Sequence, residues 1–241
     1  MCHLKPYFYA IIVLLAFPAV LMADYISISG SGNSFMLQSG EIGILSGNDH
    51  QFSMDELDIL AATLQNDGID TVGKISFMLA STDAGLSFIG LFDGVPTNNP
   101  NGSTPDHYLG LSTTTAVGSD WYATGDAGTE SEWYNLGNNT QMLNSIFAWD
   151  HQQTSAAFAW GDVNASPSGT FNLYDVDLTE FGSESIQFLT YTDSHWDVAG
   201  VSSFSVLGQY AFSYQFVPAP GAIALLALAG LTNHRIRRRK Q

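Results

Sequence analysis

The sequence predicts a mostly β chain, an antiparallel β-sandwich or jelly-roll-like fold with one short amphipathic helix. Three observations carry this. Runs of four to eight residues rich in β-branched and aromatic side chains recur from Thr71 onward, at roughly the 8–15-residue spacing of a sandwich. Clusters of Gly, Asn, Asp, Ser and Pro separate them. One stretch alone, after Ser53, carries a 3.6-residue apolar period. There is no fixed-period internal repeat, and the ordering of the runs does not alternate strand with helix as a βαβ fold would.

The elements follow in order. Between Tyr25 and Leu45 the runs YISIS, SFMLQ and IGIL read as short strands broken by Gly30, Gly32, Gly40, Gly43 and Gly47. In YISIS, Ile26 and Ile28 share one face, with Tyr25, Ser27 and Ser29 on the other. Ser53-Met54-Asp55-Glu56 has the Ser-x-x-Glu form of a capping box. Leu57, Leu60, Ala61 and Leu64 then follow at i, i+3, i+4 and i+7, one buried helix face, and Asn66-Asp67-Gly68 ends the helix. Asp55, Glu56 and Asp58 suit the positive end of the helix dipole. Strands are expected at 74–80, 86–92, 107–117, 120–124, 145–150, 155–162, 170–178, 185–192 and 203–216. The last alternates Gln209, Ala211, Ser213 and Gln215 with Tyr210, Phe212, Tyr214 and Phe216, the pattern of a half-buried strand. The longest loop is PTNNPNGSTPD, 96–106.

The two ends differ from the body. Lys5 followed by the apolar stretch Tyr7 to Met22 and the small residue Ala23 has the order of a secretory signal peptide, 1–23, cut by signal peptidase after passage to the export translocon. At the other end, 217–241, Val217-Pro218-Ala219-Pro220-Gly221 precedes the uncharged run AIALLALAGL and a basic cluster of Arg235, Arg237, Arg238, Arg239 and Lys240. The prolines remove two ladder donors and stop a strand. The basic cluster stays cytoplasmic by the positive-inside rule. This order of motif, short transmembrane tail and basic end resembles the PEP-CTERM sorting signal of Gram-negative exported proteins, in its Val-Pro-Ala-Pro-Gly-Ala form. Ala219 stands where that family more often has glutamate. The resemblance covers the tail alone. It implies transient anchoring in the inner membrane, removal of the tail by an exosortase, and delivery to the cell surface or the extracellular space.

The body between the ends, 24–216, holds Lys74 as its single basic residue against all 23 Asp and Glu residues. Such a surface repels nucleic acid and anionic lipid, so no nucleic-acid partner is expected. It suits an exterior where salt or divalent cations screen self-repulsion. The single cysteine, Cys2, falls in the signal peptide, so the body has no disulfide, thiol nucleophile or cysteine-based metal site.

Two groups of residues are candidates for binding. Trp121, Trp133 and Trp196 neighbour Asp120, Glu132, His195 and Asp197 in the sequence and are candidates for an exposed platform that stacks on sugar rings of an extracellular polysaccharide. Phe147 with Trp149, and Phe158 with Trp160, share faces of two runs and read instead as core. Asp175 and Asp177 alternate, with Glu180 nearby, and are candidates for a structural Ca²⁺ site; otherwise no cofactor is expected. Asp67-Gly68-Ile69-Asp70 does not continue as an EF-hand, because Thr63 and Gln65 would occupy its first and third positions. His50, His107, His151 and His195 form no HExxH. No Gly-x-Ser-x-Gly, P-loop or dinucleotide fingerprint is present. The expectation is a non-catalytic structural or adhesive protein of the cell envelope or extracellular matrix. The alternatives are a carbohydrate-binding module using surface aromatics and, third, a glycan hydrolase or lyase.

Overall fold

Two sheets face each other across an aromatic core. The computed structural model describes residues 25–45, 52–95, 107–116, 120–125, 129–149, 155–161, 168–178, 180–182, 184–205 and 207–217. The expected signal peptide, and the prolines, apolar run and basic cluster of the expected sorting signal, lie outside them. Val217 is the motif residue inside. Among the described residues no helix is long and apolar enough to cross a membrane.

The first sheet contains β1 (Tyr25–Gly30), β2 (Asn33–Gln38), β6 (His107–Ala116), β8 (Thr129–Gly137), β9 (Thr140–Trp149), β11 (Ser168–Tyr174) and β14 (Tyr210–Val217). Its order is β2-β1-β14-β11-β6-β9-β8, antiparallel throughout. The alternating patterns expected of β1 and β14 hold: Ile26, Ile28, Tyr210, Phe212 and Tyr214 are buried, while Ala211, Ser213 and Gln215 are exposed. Val217 pairs with Tyr25, so β14 runs one residue into the stretch 217–221 expected to be a sorting motif.

The second sheet contains β3 (Gly40–Glu41), β4 (Lys74–Thr82), β5 (Gly85–Asp93), β7 (Asp120–Gly125), β10 (Ser155–Gly161), β12 (Ile186–Thr192) and β13 (His195–Ser202). Its path is β13-β12-β4-β5-β10-β7, with the two-residue β3 also paired to β4. This sheet is mixed rather than antiparallel, because both β12 and β3 run parallel to β4. Parallel neighbours need a crossover. The helix α1 (Met54–Asn66) supplies it between β3 and β4, so one βαβ unit is built into the sandwich.

The capping box forms as expected. Ser53 Oγ accepts from the Glu56 N–H at 3.3 Å, and Glu56 Oε2 accepts from the Ser53 N–H at 2.9 Å. Leu57, Leu60 and Leu64 are buried against Met78, Ile89, Leu91, Ala157 and Ala159 on the outer face of the second sheet. Strands β4, β5 and β10 are therefore covered on both faces. This is why SFMLA, SFIGLF and AAFAW read as continuous apolar runs rather than alternations.

Between the sheets, Phe77, Phe88, Phe92, Phe158, Trp160 and Phe188 meet Phe147, Phe171, Phe212 and Tyr214. Phe77 to Phe212 is 5.0 Å between ring centroids, Phe88 to Phe171 5.2 Å, Phe92 to Phe147 4.9 Å and Trp160 to Tyr214 5.2 Å. Phe147 and Phe158 are core, as expected, but they belong to facing sheets rather than to neighbouring strands. The side chain of Trp149 lies outside the described residues.

Candidate functional site

The two outer faces of the sandwich differ in what lies on them. The helix covers the second sheet. Among the described residues nothing covers the first. Its outward positions follow from the register: Ser34 on β2, Ser29 on β1, Ser213 on β14, Thr170 on β11 and Thr114 on β6 run as one row across five strands. Four of these are exposed and Thr114 is half-buried. Their hydroxyls are joined: Ser29 Oγ lies 3.0 Å from Ser34 Oγ, Ser213 Oγ donates to the Ser29 carbonyl at 3.3 Å, and Thr170 Oγ1 lies 3.3 Å from Thr114 Oγ1. In a parallel row the Asn172 side-chain amide donates to Ser112 Oγ at 3.4 Å. Strands β2, β1, β14, β11, β6 and β9 contain no Asp, Glu, Lys or Arg.

At its β8 end this face becomes aromatic. Tyr174 closes β11 opposite Gly110 of β6, and its ring lies flat on the sheet there. A Cβ at Gly110 would sit 2.1 Å from the ring, so glycine is what admits it. Ile146 lies opposite Gly110 on β9 and is 42% exposed. Tyr108, 47% exposed, is one outward position further along β6. Tyr134 on β8 is 42% exposed, and its hydroxyl donates to the Glu132 carboxylate. That bond to Glu132, followed by the carboxylate's charge, pushes the Tyr134 ionisation up, with Tyr174 adding to it. Burial, and then Asp175, pushes Tyr174 up as well.

The three tryptophans all lie on strands rather than in loops, and they do not share one face. Trp133 sits on the edge strand β8 opposite the buried Leu143, so it points to the inner side of its sheet, yet is 41% exposed because β8 is the last strand. Trp121 is on β7, the terminal strand of the other sheet, half-buried and stacked on Phe158 at 4.6 Å. Trp196 is 1% exposed. It packs edge-on against Tyr191 at 5.3 Å over Gly40, and its backbone N–H donates to the Asp67 carboxylate at 2.8 Å, tying β13 to the end of α1. Trp196 is thus a core residue of the helix-covered side and not part of a surface platform. Its polar sequence neighbours alternate outward while it alternates inward.

The acidic candidates do not converge. β11 ends at Tyr174, and Asp175 takes φ +55°, so Asp175 and Asp177 are not two positions of one strand. Glu180 is buried in the following turn, where its N–H donates to the Asp177 carbonyl at 3.2 Å. Among the described residues no group of three or more His, Cys, Asp or Glu side chains is placed to hold a metal ion. Elsewhere, a polar cleft of about 340 Å³ lies beside the β1–β2 turn, lined by Ser31, Asn33, Glu184, Val201, Ser202 and Ser203. Among the described residues that line it, Glu184 is the one carboxylate.

The sequence reading missed Tyr108 as a surface aromatic, and it missed β8 and β13 as strands. A signal for β8 is present in the turn that follows it. Asn138-Asn139 both take positive φ, +52° and +59°, the two-residue hairpin geometry that asparagine tolerates. Comparison with protein families, curated proteins and solved structures finds no match for this chain.

Proposed function

We propose that this is an exported, non-catalytic adhesive or structural component of the cell exterior, and that it holds polysaccharide at the aromatic end of its open sheet. One observation carries the binding half of this reading. Tyr134, Tyr108 and Ile146 stand exposed on an uncovered sheet, beside Tyr174 laid flat over Gly110 and the Glu132 carboxylate, with Trp133 on the adjoining edge. Flat aromatic faces stack on the C–H faces of sugar rings, and a carboxylate and phenols supply directed acceptors and donors for hydroxyls. The export half rests on the signal-peptide order of residues 1–23 and the PEP-CTERM-like order of residues 217–241. Exosortase, signal peptidase and the export translocon are its proposed partners during sorting.

Affinity electrophoresis of the exported protein through gels containing soluble polysaccharides tests the binding. The wild type is retarded by at least one of them, and Tyr134→Ala lowers the affinity about tenfold, the loss of roughly 1.4 kcal/mol expected for one stacking ring. Absence of retardation across neutral, anionic and cationic polysaccharides overturns the binding reading. Mass spectrometry of the exported protein tests the sorting: peptides containing Arg235 to Lys240 recovered from the cell-surface form overturn it.

A further inference from the structure

Charge is distributed unevenly over this molecule. One lysine and 23 carboxylates lie between residues 24 and 217, yet six neighbouring strands of the first sheet carry neither sign. Their outward side chains are Ser, Thr, Asn and Gln interspersed with Tyr, Met, Ile, Val and Ala, none of the non-glycine ones is buried, and nothing described lies over them. We infer that this charge-free face, from β2 to β9, is a platform on which an uncharged polysaccharide chain lies across the strands, continuous with the aromatic end. The inference rests on the proposed polysaccharide reading and narrows it to a ligand class.

A polyuronate or another anionic polymer approaching a body with this excess of carboxylates is repelled at long range, as is a second copy of the same chain. An uncharged polymer is not. The face it meets has no ion to desolvate, and burying an unpaired charge is the costliest event such a contact could require. The face also has donors and acceptors in register. The row Ser34, Ser29, Ser213, Thr170 and Thr114 repeats at the strand spacing of about 4.8 Å, comparable with the length of one sugar residue. Each hydroxyl is oriented by a bond to its neighbour or to the backbone and keeps further bonding capacity for a ligand. The row reaches the β9–β8 end, where Tyr134 stands.

The test places a charge on the platform and leaves the aromatic end intact. Thr170→Glu and, separately, Ser213→Glu are made in the full chain, and the exported proteins are incubated with an uncharged insoluble glucan, with a polyuronate, and with a polyglucosamine. The expected result is that wild type binds the glucan and not the polyuronate, and that each Glu variant loses at least tenfold in glucan affinity with an unchanged thermal midpoint. Both positions are exposed, so a fall in the midpoint of one variant is checked against the other. Glucan binding that Tyr134→Ala weakens but neither Glu variant alters overturns the platform and leaves the polysaccharide reading standing. Absence of binding to any polymer overturns both. Polyuronate bound as tightly as glucan overturns the uncharged class. A dimer of the wild type that the Glu variants dissociate overturns the ligand in favour of a second copy.

Discussion

The two sheets solve opposite problems with the same element. In the helix-covered sheet, β4, β5 and β10 bury both faces, and their sequences are nearly continuous in apolar residues. In the open sheet, β1, β11 and β14 bury one face, and their sequences alternate. Period-two patterning is therefore a statement about how many layers lie on a strand, not about whether it is one. Charge follows the same division. Acids gather on α1, in turns and at strand ends, while the interior of the open sheet has none. A stability role does not require this, since exposed positions on an antiparallel sheet accept charged residues readily. On the proposed polysaccharide reading, the covered sheet serves stability and the open sheet serves contact.

The comparison breaks first in the shared core. Phe171 of the open sheet touches Phe88, Phe158 and Trp160 of the covered sheet and Phe212 beside it. Phe171→Ala costs about 3–5 kcal/mol, measured by denaturant titration, and a loss below 1 kcal/mol contradicts the packing described. Leu60→Ala, in the helix layer, costs about 2–5 kcal/mol by the same mechanism. It leaves polysaccharide binding per folded molecule unchanged, because the helix and the open face share no residue. If Leu60→Ala changes binding of the folded fraction as strongly as Tyr134→Ala, the functional division between the sheets is wrong.

A smaller step sharpens the account of the helix. Ser53→Ala removes one half of the capping box and costs about 1 kcal/mol. Thr170→Ala, on the open face, stays within about 0.5 kcal/mol. Equal effects at the two positions, read from thermal midpoints, contradict the layer assignment. Salt acts on the covered side and the turns together. Raising ionic strength from 0.01 to 1 M shortens the Debye length from about 30 to about 3 Å, so self-repulsion among the carboxylates is screened and the midpoint rises. A midpoint unchanged over that range shows that the acids are too dispersed to matter.

How much of this was legible in the sequence depended on whether the determinant was local. The capping box of α1 and the alternation of β1 and β14 are contained in a few consecutive residues, and both stand, although the strand expected over 203–216 begins only at Tyr210, after a turn where Gly208 takes φ +65°. The runs β8 and β13 were not recognised. Both are terminal strands of their sheets: β8 is exposed along nearly its whole length with Glu130 and Glu132 on it, and β13 exposes Val198 and Val201 while burying Trp196, so neither shows the apolar alternation that marks a strand. IGIL, expected as a strand, contributes Ile42, Ile44 and Leu45 to the helix-side core. The strand itself is Gly40–Glu41, where Gly40 admits Trp196 and Tyr191. The candidate site is partly visible in the sequence, where Trp133 stands among the residues expected to form a platform. The seat of Tyr174 over Gly110 is not visible, because it depends on pairing between residues 64 apart. Trp196 misled for the converse reason, its neighbours along the chain being polar and its neighbours in space apolar.

The last difference between the sheets is a pH dependence. Asp93 ends β5 in the covered sheet, where its carboxylate accepts from Thr71 Oγ1 at 2.7 Å and Ser155 Oγ at 3.3 Å. Burial pushes its ionisation up, the two hydroxyls pull it down, and Asp70 pushes it up again; burial prevails. Asp70 is itself paired with Lys74 at 3.6 Å, which moderates its effect on Asp93. A carboxyl whose folded pKa lies above its unfolded value, about 3.9, holds more protons in the native state. Its contribution to stability is then complete below the unfolded value and is lost as pH rises through the folded one. Asp93→Asn abolishes this titration and keeps one acceptor for Thr71 or Ser155. Between pH 3.5 and 7, the midpoint of wild type relative to Asp93→Asn is therefore expected to fall as pH rises, and to level off once Asp93 is ionised. Other carboxylates titrate in both proteins and cancel in the difference. If the difference instead moves in favour of wild type as pH rises, the hydroxyl bonds outweigh burial. The acid at the end of β5 would then be a stabilising anchor for Thr71 and Ser155 rather than a cost of enclosing that sheet on both faces.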